Sequence, residues 1–186
     1  TEEIGGKIDI LVNCGRIPLV GAYPKIDGPG QTVEDLNRGF DGYCASAYRC
    51  IREVVPFMEK IGGGSIVNIS SMYGVVPPDL TIYGDSGQDN PLFYGVAKAG
   101  LVHLTKYAAS NLGPKNIRVN TVSPGPFPNP EKLPPEDFLN NLNAKTLLGR
   151  VGVPHEIGGA VAFLASDAAS FVTGINILVD GGWTVR

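Results

Sequence analysis

Residues 94–112, YGVAKAGLVHLTKYAASNL, contain apolar side chains that recur every three or four positions. This spacing predicts an amphipathic helix that begins near Tyr94 and presents one apolar face to a core. The residues that form this face are Ala97, Leu101, Leu104, Ala108 and Leu112. Because positions i and i+4 lie one turn apart on the same face of a helix, Tyr94 and Lys98 can contribute to one site.

A phenol beside a fixed ammonium group has a specific chemical use. The unperturbed phenol pKa is near ~10, and a neighbouring cation favours the phenolate and lowers this pKa. Tyr94 with Lys98 is therefore a candidate general acid/base. Tyrosine and lysine at helical spacing also occur by chance, as a rim aromatic beside a solvated charge, so the pair needs support from the rest of the chain.

That support comes from the two flanking segments. Residues 64–74, GSIVNISSMYG, form an apolar β-branched run that ends in two serines and a glycine, and residues 116–125, NIRVNTVSPG, form a second short strand that ends in Pro-Gly. A strand with serines, a helix with Tyr and Lys, and a strand with Pro-Gly resemble, in this order, the short-chain dehydrogenase/reductase family. The resemblance extends from about Lys7 to Trp183.

The resemblance implies a Rossmann-like α/β fold, in which a doubly wound parallel sheet carries helices on both faces. We expect residues 1–186 to form one domain of this kind, without the N-terminal βαβαβ half that bears the glycine-rich dinucleotide turn. No glycine cluster of the chain has the GxGxxG spacing between a strand and a helix. The first strand, expected at Ile8–Asn13, follows Thr1 so soon that either residues precede Thr1 or an initiator methionine has been removed.

The resemblance also assigns candidate catalytic residues. Ser71 would hold the substrate oxygen, with Ser70 as the fallback, Tyr94 would transfer the proton, and Lys98 would lower the Tyr94 pKa and contact the nicotinamide ribose. Without Tyr94 and Lys98, Ser71 would equally be explained as a strand-end serine that caps a turn.

The implied cofactor is NAD or NADP, with Asn13, Pro124 and Gly125 as further contacts beside Tyr94 and Lys98. Each of these three residues also has a structural interpretation. Asn13 can be a turn former, and Pro124 with Gly125 can end a strand and start a loop.

The chain departs from the family pattern in three places. Cys14 stands where a second asparagine is usual. The active-site asparagine of the family is expected in the middle of a long helix that extends from Thr32 to about Ile61, and its place falls at or near Tyr43. We interpret Tyr43 as an aromatic packed into a core or a subunit contact. Phe127, Pro128 and Asn129 follow the Pro-Gly pair, where a cofactor-binding threonine is usual.

The remaining elements follow from local signals. Residues 21–31, rich in glycine and proline, are expected to form a loop. Thr32 with Asp35 predicts the start of a helix that extends to about Ile61. We expect residues 77–93 to loop out where substrate enters, residues 136–145 to form a short helix, and residues 176–180 to form the final strand.

Composition restricts the classes of partner. The net charge is −3 without a basic tract, so neither nucleic acid nor an anionic membrane is an expected partner. The sequence has no apolar run of the ~18–20 residues that span a bilayer, and we expect a cytoplasmic protein. Cys14, Cys44 and Cys50 lack metal-ligand or disulfide spacing and are expected to be buried, and no metal site is expected.

The sequence thus predicts an NAD(P)-dependent oxidoreductase that interconverts a secondary alcohol and a ketone through Ser71, Tyr94 and Lys98. We expect its partners to be a small carbonyl or alcohol substrate and further copies of the chain, in a homodimer or homotetramer. The alternative is a non-catalytic remnant of the family that acts as an oligomerisation partner, or a small-molecule binding module without hydride transfer. We expect the 186 residues alone to be unstable or to aggregate, since an apolar sheet edge would be exposed.

Overall fold

The computed structural model describes residues 6–15, 32–84, 86 and 90–186. The strands are β1 (Ile10–Asn13), β2 (Gly64–Ile69), β3 (Ile117–Pro124) and β4 (Asn176–Val179), and the helices are α1 (Val33–Phe40), α2 (Ser46–Lys60), α3 (Leu92–Leu112), α4 (Glu136–Lys145) and α5 (Pro154–Ala165). Strands alternate with helices along the chain, as expected for an α/β domain. The loop predicted at residues 21–31 lies outside the described residues.

The four strands form one parallel sheet in the order β1-β2-β3-β4. Val12 of β1 pairs with Val67 of β2, Val67 pairs with Asn120 of β3, and Thr121 of β3 pairs with Asn176 of β4. In parallel sheets all carboxyl ends lie at one edge, where ligands bind in open α/β folds. The segments that follow β1, β2 and β3 therefore meet at this edge.

Helices cover both faces of the sheet, which confirms the predicted doubly wound architecture. On one face α2 and α3 pack Met58, Ala108 and Leu112 against strand residues that include Ile66. On the other face α5 packs Leu164 against Val67 and its neighbours. Ile66 and Val67 are consecutive residues, so their side chains point to opposite faces and each enters a different core.

The helix predicted from Thr32 to about Ile61 is present but is not α-helical throughout. Its start is confirmed, because Thr32 Oγ1 accepts from the Asp35 amide at 3.1 Å while Asp35 accepts from the Thr32 amide at 3.2 Å. Between α1 and α2, Asp41–Ala45 form a π-helical turn. The Ser46 hydroxyl donates to the Gly42 carbonyl at 2.5 Å within this stretch.

Three expectations about local structure need correction. The segment 77–93 does not simply loop out: Leu92 and Phe93 already belong to α3, and Ile82 is buried in a cluster with Leu142 and Trp183. Residues 85 and 87–89 lie outside the described residues. The first strand begins at Ile10 rather than Ile8. The last strand ends at Val179, because the Asp180 carboxylate accepts from the amides of the following turn.

The expectation that all three cysteines are buried is wrong for two of them. Cys44 is buried and burial raises its thiol pKa, whereas Cys14 and Cys50 are exposed. Cys14 lies just beyond the end of β1, whose outer side has no neighbouring strand among the described residues. We call Ile10–Asn13 the β1 edge. Within the described ranges, no helix is both long and apolar enough to cross a membrane.

Candidate active site

The candidate site lies at the carboxyl end of β2, where Ser70 and Ser71 follow the last strand residue. The chain then makes a short 3₁₀ turn, Met72–Gly74, that packs directly on the start of α3. A Cβ atom on Gly74 would lie 2.8 Å from the Lys98 carbonyl carbon, and one on Gly95 would lie 3.1 Å from the Tyr73 carbonyl oxygen. We call this junction, residues 70–74 and 94–98, the α3 corner.

Lys98 is held inside this corner with only 5% of its surface exposed. Its Nζ donates to the carbonyl oxygen of Ile69, the last residue of β2, at 2.7 Å. The same Nζ lies 5.7 Å from the centre of the Tyr94 ring. The structure therefore brings Tyr94 and Lys98 together, as their spacing on a helix predicts.

The burial of Lys98 changes its acidity. Removal of the ammonium group from water lowers its pKa to about 8, against a smaller opposing effect of Cys14, which favours the charged form. With a pKa of about 8, Lys98 is still mostly protonated at neutral pH. It can thus act as a fixed positive charge beside Tyr94 and can lose that charge in mildly alkaline solution.

The two serines of the corner have different partners. The Ser70 hydroxyl donates to the Lys98 carbonyl at 2.8 Å, so its proton is engaged in joining β2 to α3. Ser71 Oγ accepts from the Tyr73 amide at 3.1 Å and caps the 3₁₀ turn. Because the hydroxyl accepts in this bond, its own proton can still be donated to a ligand. The geometry therefore favours Ser71 over Ser70 as the residue that contacts a substrate, although the turn-capping interpretation of Ser71 is also correct.

Tyr43 faces the same corner from the π-helical turn. It is 4% exposed, as expected for a core aromatic, but it packs against functional candidates rather than against an aliphatic core alone. Its ring lies 4.7 Å from Lys98 Nζ, and it meets the Tyr94 ring edge to face with centroids 5.4 Å apart. Cation–π contact and edge-to-face packing are both favourable in this geometry.

Asn13 lies at the end of β1 and is hydrogen-bonded to a buried residue of the neighbouring strand. Its Nδ2 donates to Asn68 Oδ1 at 2.8 Å, and Asn68 in turn donates to Thr105 Oγ1 at 2.9 Å. Thr121 donates to the same Thr105 oxygen at 2.7 Å. These contacts form one polar network across β1, β2, β3 and α3, which explains why Asn68, Thr105 and Thr121 can be buried.

A cavity of about 320 Å³ adjoins the network and the α3 corner. Its lining includes Asn13, Cys14, Tyr43, Ile69 and Lys98. A concave space with an amide and an ammonium group, at the carboxyl ends of parallel strands, fits the nicotinamide ribose end of a dinucleotide. The described residues therefore fit this part of NAD(P), and a glycine-rich turn for the pyrophosphate is not among them.

Pro124 and Gly125 lie at the carboxyl end of β3, on the same edge of the sheet. The Gly125 amide donates to the Val179 carbonyl at 2.9 Å, and a Cβ atom at this position would lie 2.6 Å from the Asp180 Cα. The absence of a side chain at residue 125 is thus explained by close packing between β3 and the turn after β4. A contact with a cofactor is not needed to explain the glycine.

The prediction from sequence missed an aromatic group beside the corner. The hydroxyls of Tyr73 and Tyr83 lie 3.1 Å apart, and the Tyr83 ring stacks on Phe138 of α4 with centroids 5.5 Å apart. Burial raises the pKa of Tyr73, against a smaller opposing effect of the hydrogen bond with Tyr83. The position of Tyr73 two residues after Ser71 was a usable signal, whereas nothing local linked Tyr83 to Phe138.

The helix α4 is fastened over this aromatic group by polar contacts. Asn141 Nδ2 donates to the Ile82 carbonyl at 2.9 Å, and Lys145 pairs with Asp79 at 2.5 Å. The segment after Ser71 and the short helix α4 therefore form one wall beside the α3 corner. In the described part of the chain, no group of three or more His, Cys, Asp or Glu residues is arranged to hold a metal ion.

Comparison with known proteins defines the class to which this fold and site belong. A family sequence model described as enoyl-(acyl carrier protein) reductase matches residues 1–184. The solved structure of a short-chain dehydrogenase from Leptospira borgpetersenii with bound NAD⁺ superposes with a TM-score of 0.83 at 35% identity, over 98% of this chain and 67% of that one. The chain therefore belongs to the short-chain dehydrogenase/reductase family, whose oxidoreductases use NAD or NADP.

Two curated relatives show the range of similar proteins. The 7α-hydroxysteroid dehydrogenase of Bacteroides fragilis is 35% identical over 97% of this chain and 66% of its own length. The cis-4-hydroxycyclohexanecarboxylate dehydrogenase of Sinomonas cyclohexanicum is 41% identical over 96% of this chain and 67% of its own length. The chain thus spans about two thirds of the length of the relatives it matches.

Proposed function

We propose that this protein is an NAD(P)-dependent oxidoreductase that interconverts a secondary alcohol and a ketone, with Tyr94 as the general acid/base. The observation that carries the proposal is the buried Lys98 ammonium, 5% exposed and 5.7 Å from the Tyr94 ring centre. A buried charge is costly, and groups with perturbed pKa values cluster at functional sites.

Lys98 and Tyr94 act together in the proposed reaction. The Lys98 charge favours the Tyr94 phenolate and so brings the phenol pKa towards neutrality. Tyr94 then donates its proton to the substrate oxygen during ketone reduction and accepts the proton during alcohol oxidation. The nicotinamide, when bound, supplies or accepts the hydride at the substrate carbon.

Ser71 would donate a hydrogen bond to the substrate oxygen and hold it near Tyr94. The support for this role is its position in the turn that packs on α3, together with a hydroxyl that accepts from the Tyr73 amide. Ser70, which donates to the Lys98 carbonyl, would instead keep α3 at a fixed distance from β2.

The cofactor side of the proposal involves Asn13, Lys98, Pro124 and Gly125. Asn13 and Lys98 line the 320 Å³ cavity, and we propose that they hold the nicotinamide ribose. Pro124 and Gly125 would let the backbone pass close to the nicotinamide. NAD and NADP differ by a phosphate on the other ribose, so titration with both cofactors is needed to establish the preference.

For the substrate we propose a secondary alcohol, or the matching ketone, on an apolar ring. Two relatives are named for such alcohols, a hydroxysteroid and a hydroxycyclohexanecarboxylate. The wall formed by Tyr73, Tyr83 and Phe138 supports this class, because aromatic side chains offer a flat apolar surface to a ring.

The proposal is tested by fluorescence titration of NADH and NADPH. Turnover is then assayed as oxidation of NADH or NADPH with cyclic ketones and as reduction of NAD⁺ or NADP⁺ with cyclic secondary alcohols. We expect binding of at least one cofactor and consumption with a member of the panel. The Tyr94→Phe variant should still bind the cofactor but should no longer oxidise or reduce it. If that variant keeps most of its activity, the assignment of Tyr94 is wrong.

A second candidate is a non-catalytic family remnant that acts as an oligomerisation partner or as a small-molecule binding module. Apolar side chains exposed on α2, α3 and β4, namely Tyr48, Val96, Tyr107 and Leu178, favour self-association under either candidate. We propose one domain over residues 1–186 that forms a homodimer or homotetramer, to be checked by light scattering. Cofactor binding without turnover would favour the binding module. The absence of both cofactor binding and turnover would favour the remnant.

A further inference from the structure

The π-helical turn Asp41–Ala45 places one aromatic ring against both members of the proton-transfer pair. Tyr43 is the middle residue of this turn, at or near the position where the family resemblance places an active-site asparagine. π-Helical turns are rare, and they are frequently found at functional sites. The turn is stabilised at its surface by the Arg49–Asp41 ion pair at 2.8 Å and internally by the Ser46 hydroxyl on the Gly42 carbonyl.

Tyr43 has the geometry of a partner for a cation. Lys98 Nζ lies 4.7 Å from the Tyr43 ring centre, nearer than its 5.7 Å to the Tyr94 ring centre. Tyr43 is 4% exposed and Lys98 is 5% exposed, so water competes little with this contact. A cation over a tyrosine ring is stabilised most when both groups are desolvated.

We infer that Tyr43 is a positioning residue: its ring face holds the Lys98 ammonium in its charged form against the Ile69 carbonyl, while the same ring fixes Tyr94 beside it. In this protein an aromatic face thus occupies the position at which the family pattern has a polar amide. The inference rests on the proposed function, because Lys98 and Tyr94 matter here as a proton-transfer pair.

The other groups around Lys98 do not replace this contact. Ile69 contributes only a carbonyl dipole from the end of β2. A protonated Tyr94 carries no negative charge to pair with the Lys98 ammonium. Burial lowers the pKa of Lys98 to about 8, and Cys14, beyond the end of β1, has a smaller effect that raises this pKa. The Tyr43 ring acts in the same direction as Cys14, through its aromatic face.

The test is a titration of Lys98 by NMR in the full chain, with ¹³C-labelled lysine and a Lys98→Arg variant to assign the signal. We compare the unaltered protein with Tyr43→Phe, which keeps the ring face, and with Tyr43→Leu, which removes it. Tyr43→Phe should leave the pKa within about 0.2 units, and Tyr43→Leu should lower it by about 0.5–1 unit, because a desolvated cation–π contact favours the charged form.

The pH dependence of kcat/KM gives a second measurement. Since loss of the Lys98 proton removes the charge beside Tyr94, the alkaline limb should move to lower pH in Tyr43→Leu by the same amount as the NMR pKa. A merely structural role for Tyr43 would lower activity at all pH values without moving this limb. Equal Lys98 pKa values in Tyr43→Phe and Tyr43→Leu would overturn the inference.

One further variant, and the independence of the NMR titration from turnover, allow the inference to be tested in every case. If Tyr43→Leu does not fold, replacement of Tyr43 by pentafluorophenylalanine keeps the ring size and reverses its quadrupole, and it should lower the Lys98 pKa relative to Tyr43→Phe. The NMR titration requires no turnover. A Lys98 pKa that depends on the ring, in a protein without oxidoreductase activity, would therefore refute the proposed function but support the effect of the Tyr43 ring on Lys98.

Discussion

Val67 and Val12 are the same residue type, paired in register on neighbouring strands, yet their environments differ. Val67 of β2 is fully buried beneath α5, whereas Val12 of β1 is 41% exposed. Partners in register on a parallel sheet point to the same face. The difference therefore arises from what packs on each strand and not from the local sequence. The β1 edge has the residue pattern of a buried strand, but the described residues leave it partly exposed.

The α3 corner and the β1 edge also differ in what they contribute to a reaction. The corner is surrounded by packed elements, and Lys98 of α3 is joined to the end of β2 through the Ile69 carbonyl and the Ser70 hydroxyl. The β1 edge contributes Asn13 to the side of the 320 Å³ cavity, and Cys14, the next residue, also lines it. The groups proposed for proton transfer thus lie between packed elements, while the side proposed for the cofactor lies next to a strand that has no outer neighbour among the described residues.

The largest expected effect is that of Tyr94→Phe in the α3 corner. Loss of the phenolic proton should lower kcat by about 10²- to 10⁴-fold, equivalent to roughly 3–5 kcal/mol of barrier. Tyr107→Phe is the matched control, since Tyr107 lies on the same helix and is 67% exposed. Steady-state kinetics with a thermal melt of each variant provides the measurement, and equal kcat values would exclude Tyr94 as the acid/base.

Thr105→Val should destabilise the fold without a direct effect on the reacting groups. The substitution removes the oxygen that accepts from Asn68 and Thr121, so two buried donors lose their partner. We expect the free energy of unfolding to fall by about 2–3 kcal/mol, because unsatisfied buried donors are costly. Thr105→Ser keeps the hydroxyl and should lose less in urea denaturation. If both variants melted alike, the network would not be a source of stability.

Lys98→Met should stabilise the protein while it removes activity. The pKa of Lys98 is lowered from 10.5 to about 8 by burial, so the unfolded chain binds the proton more tightly. In the unaltered protein, this group therefore makes the free energy of unfolding rise between pH 8 and 10.5. Replacement by methionine should raise stability at pH 7 by about 1–2 kcal/mol, after allowance for the lost bond to Ile69.

Denaturation at several pH values checks this prediction. The stability of Lys98→Met should be closer to that of the unaltered protein at pH 10 than at pH 7. At pH 10 the Lys98 side chain of the folded, unaltered protein is mostly neutral, so its burial costs little. Lys98→Arg is the control that keeps a charge, and it should not be stabilised. A lower stability of Lys98→Met at pH 7 would show that the hydrogen bond to Ile69 outweighs the cost of burial.

The sequence predicts what local spacing and strand order determine. The Tyr94–Lys98 contact follows from i and i+4 positions on one helix, and the parallel sheet follows from the alternation of strands and helices. The contact of Tyr43 with Lys98 could not be predicted in the same way, because it depends on a π-helical turn and joins residues of separate helices. The stacking of Tyr83 on Phe138 is equally non-local.

The smallest expected effect is that of Val12→Ala at the β1 edge. In the 186-residue chain Val12 is 41% exposed, so its truncation should change the free energy of unfolding by less than about 0.5 kcal/mol. Val67→Ala, its partner in register, should cost about 2 kcal/mol because it leaves a cavity in a packed core. Urea denaturation of both variants measures the difference.

The same pair of variants shows whether the β1 edge is a surface or an uncovered core. If residues upstream of Thr1 add strands beside β1 in a longer protein, Val12 becomes covered there, and Val12→Ala should then cost nearly as much as Val67→Ala. In the 186-residue chain the exposed edge should instead cause association at high concentration, which Val12→Lys should reduce because an edge lysine opposes pairing with another strand. A monomeric 186-residue chain that melts cooperatively without this substitution would show that the β1 edge needs no cover.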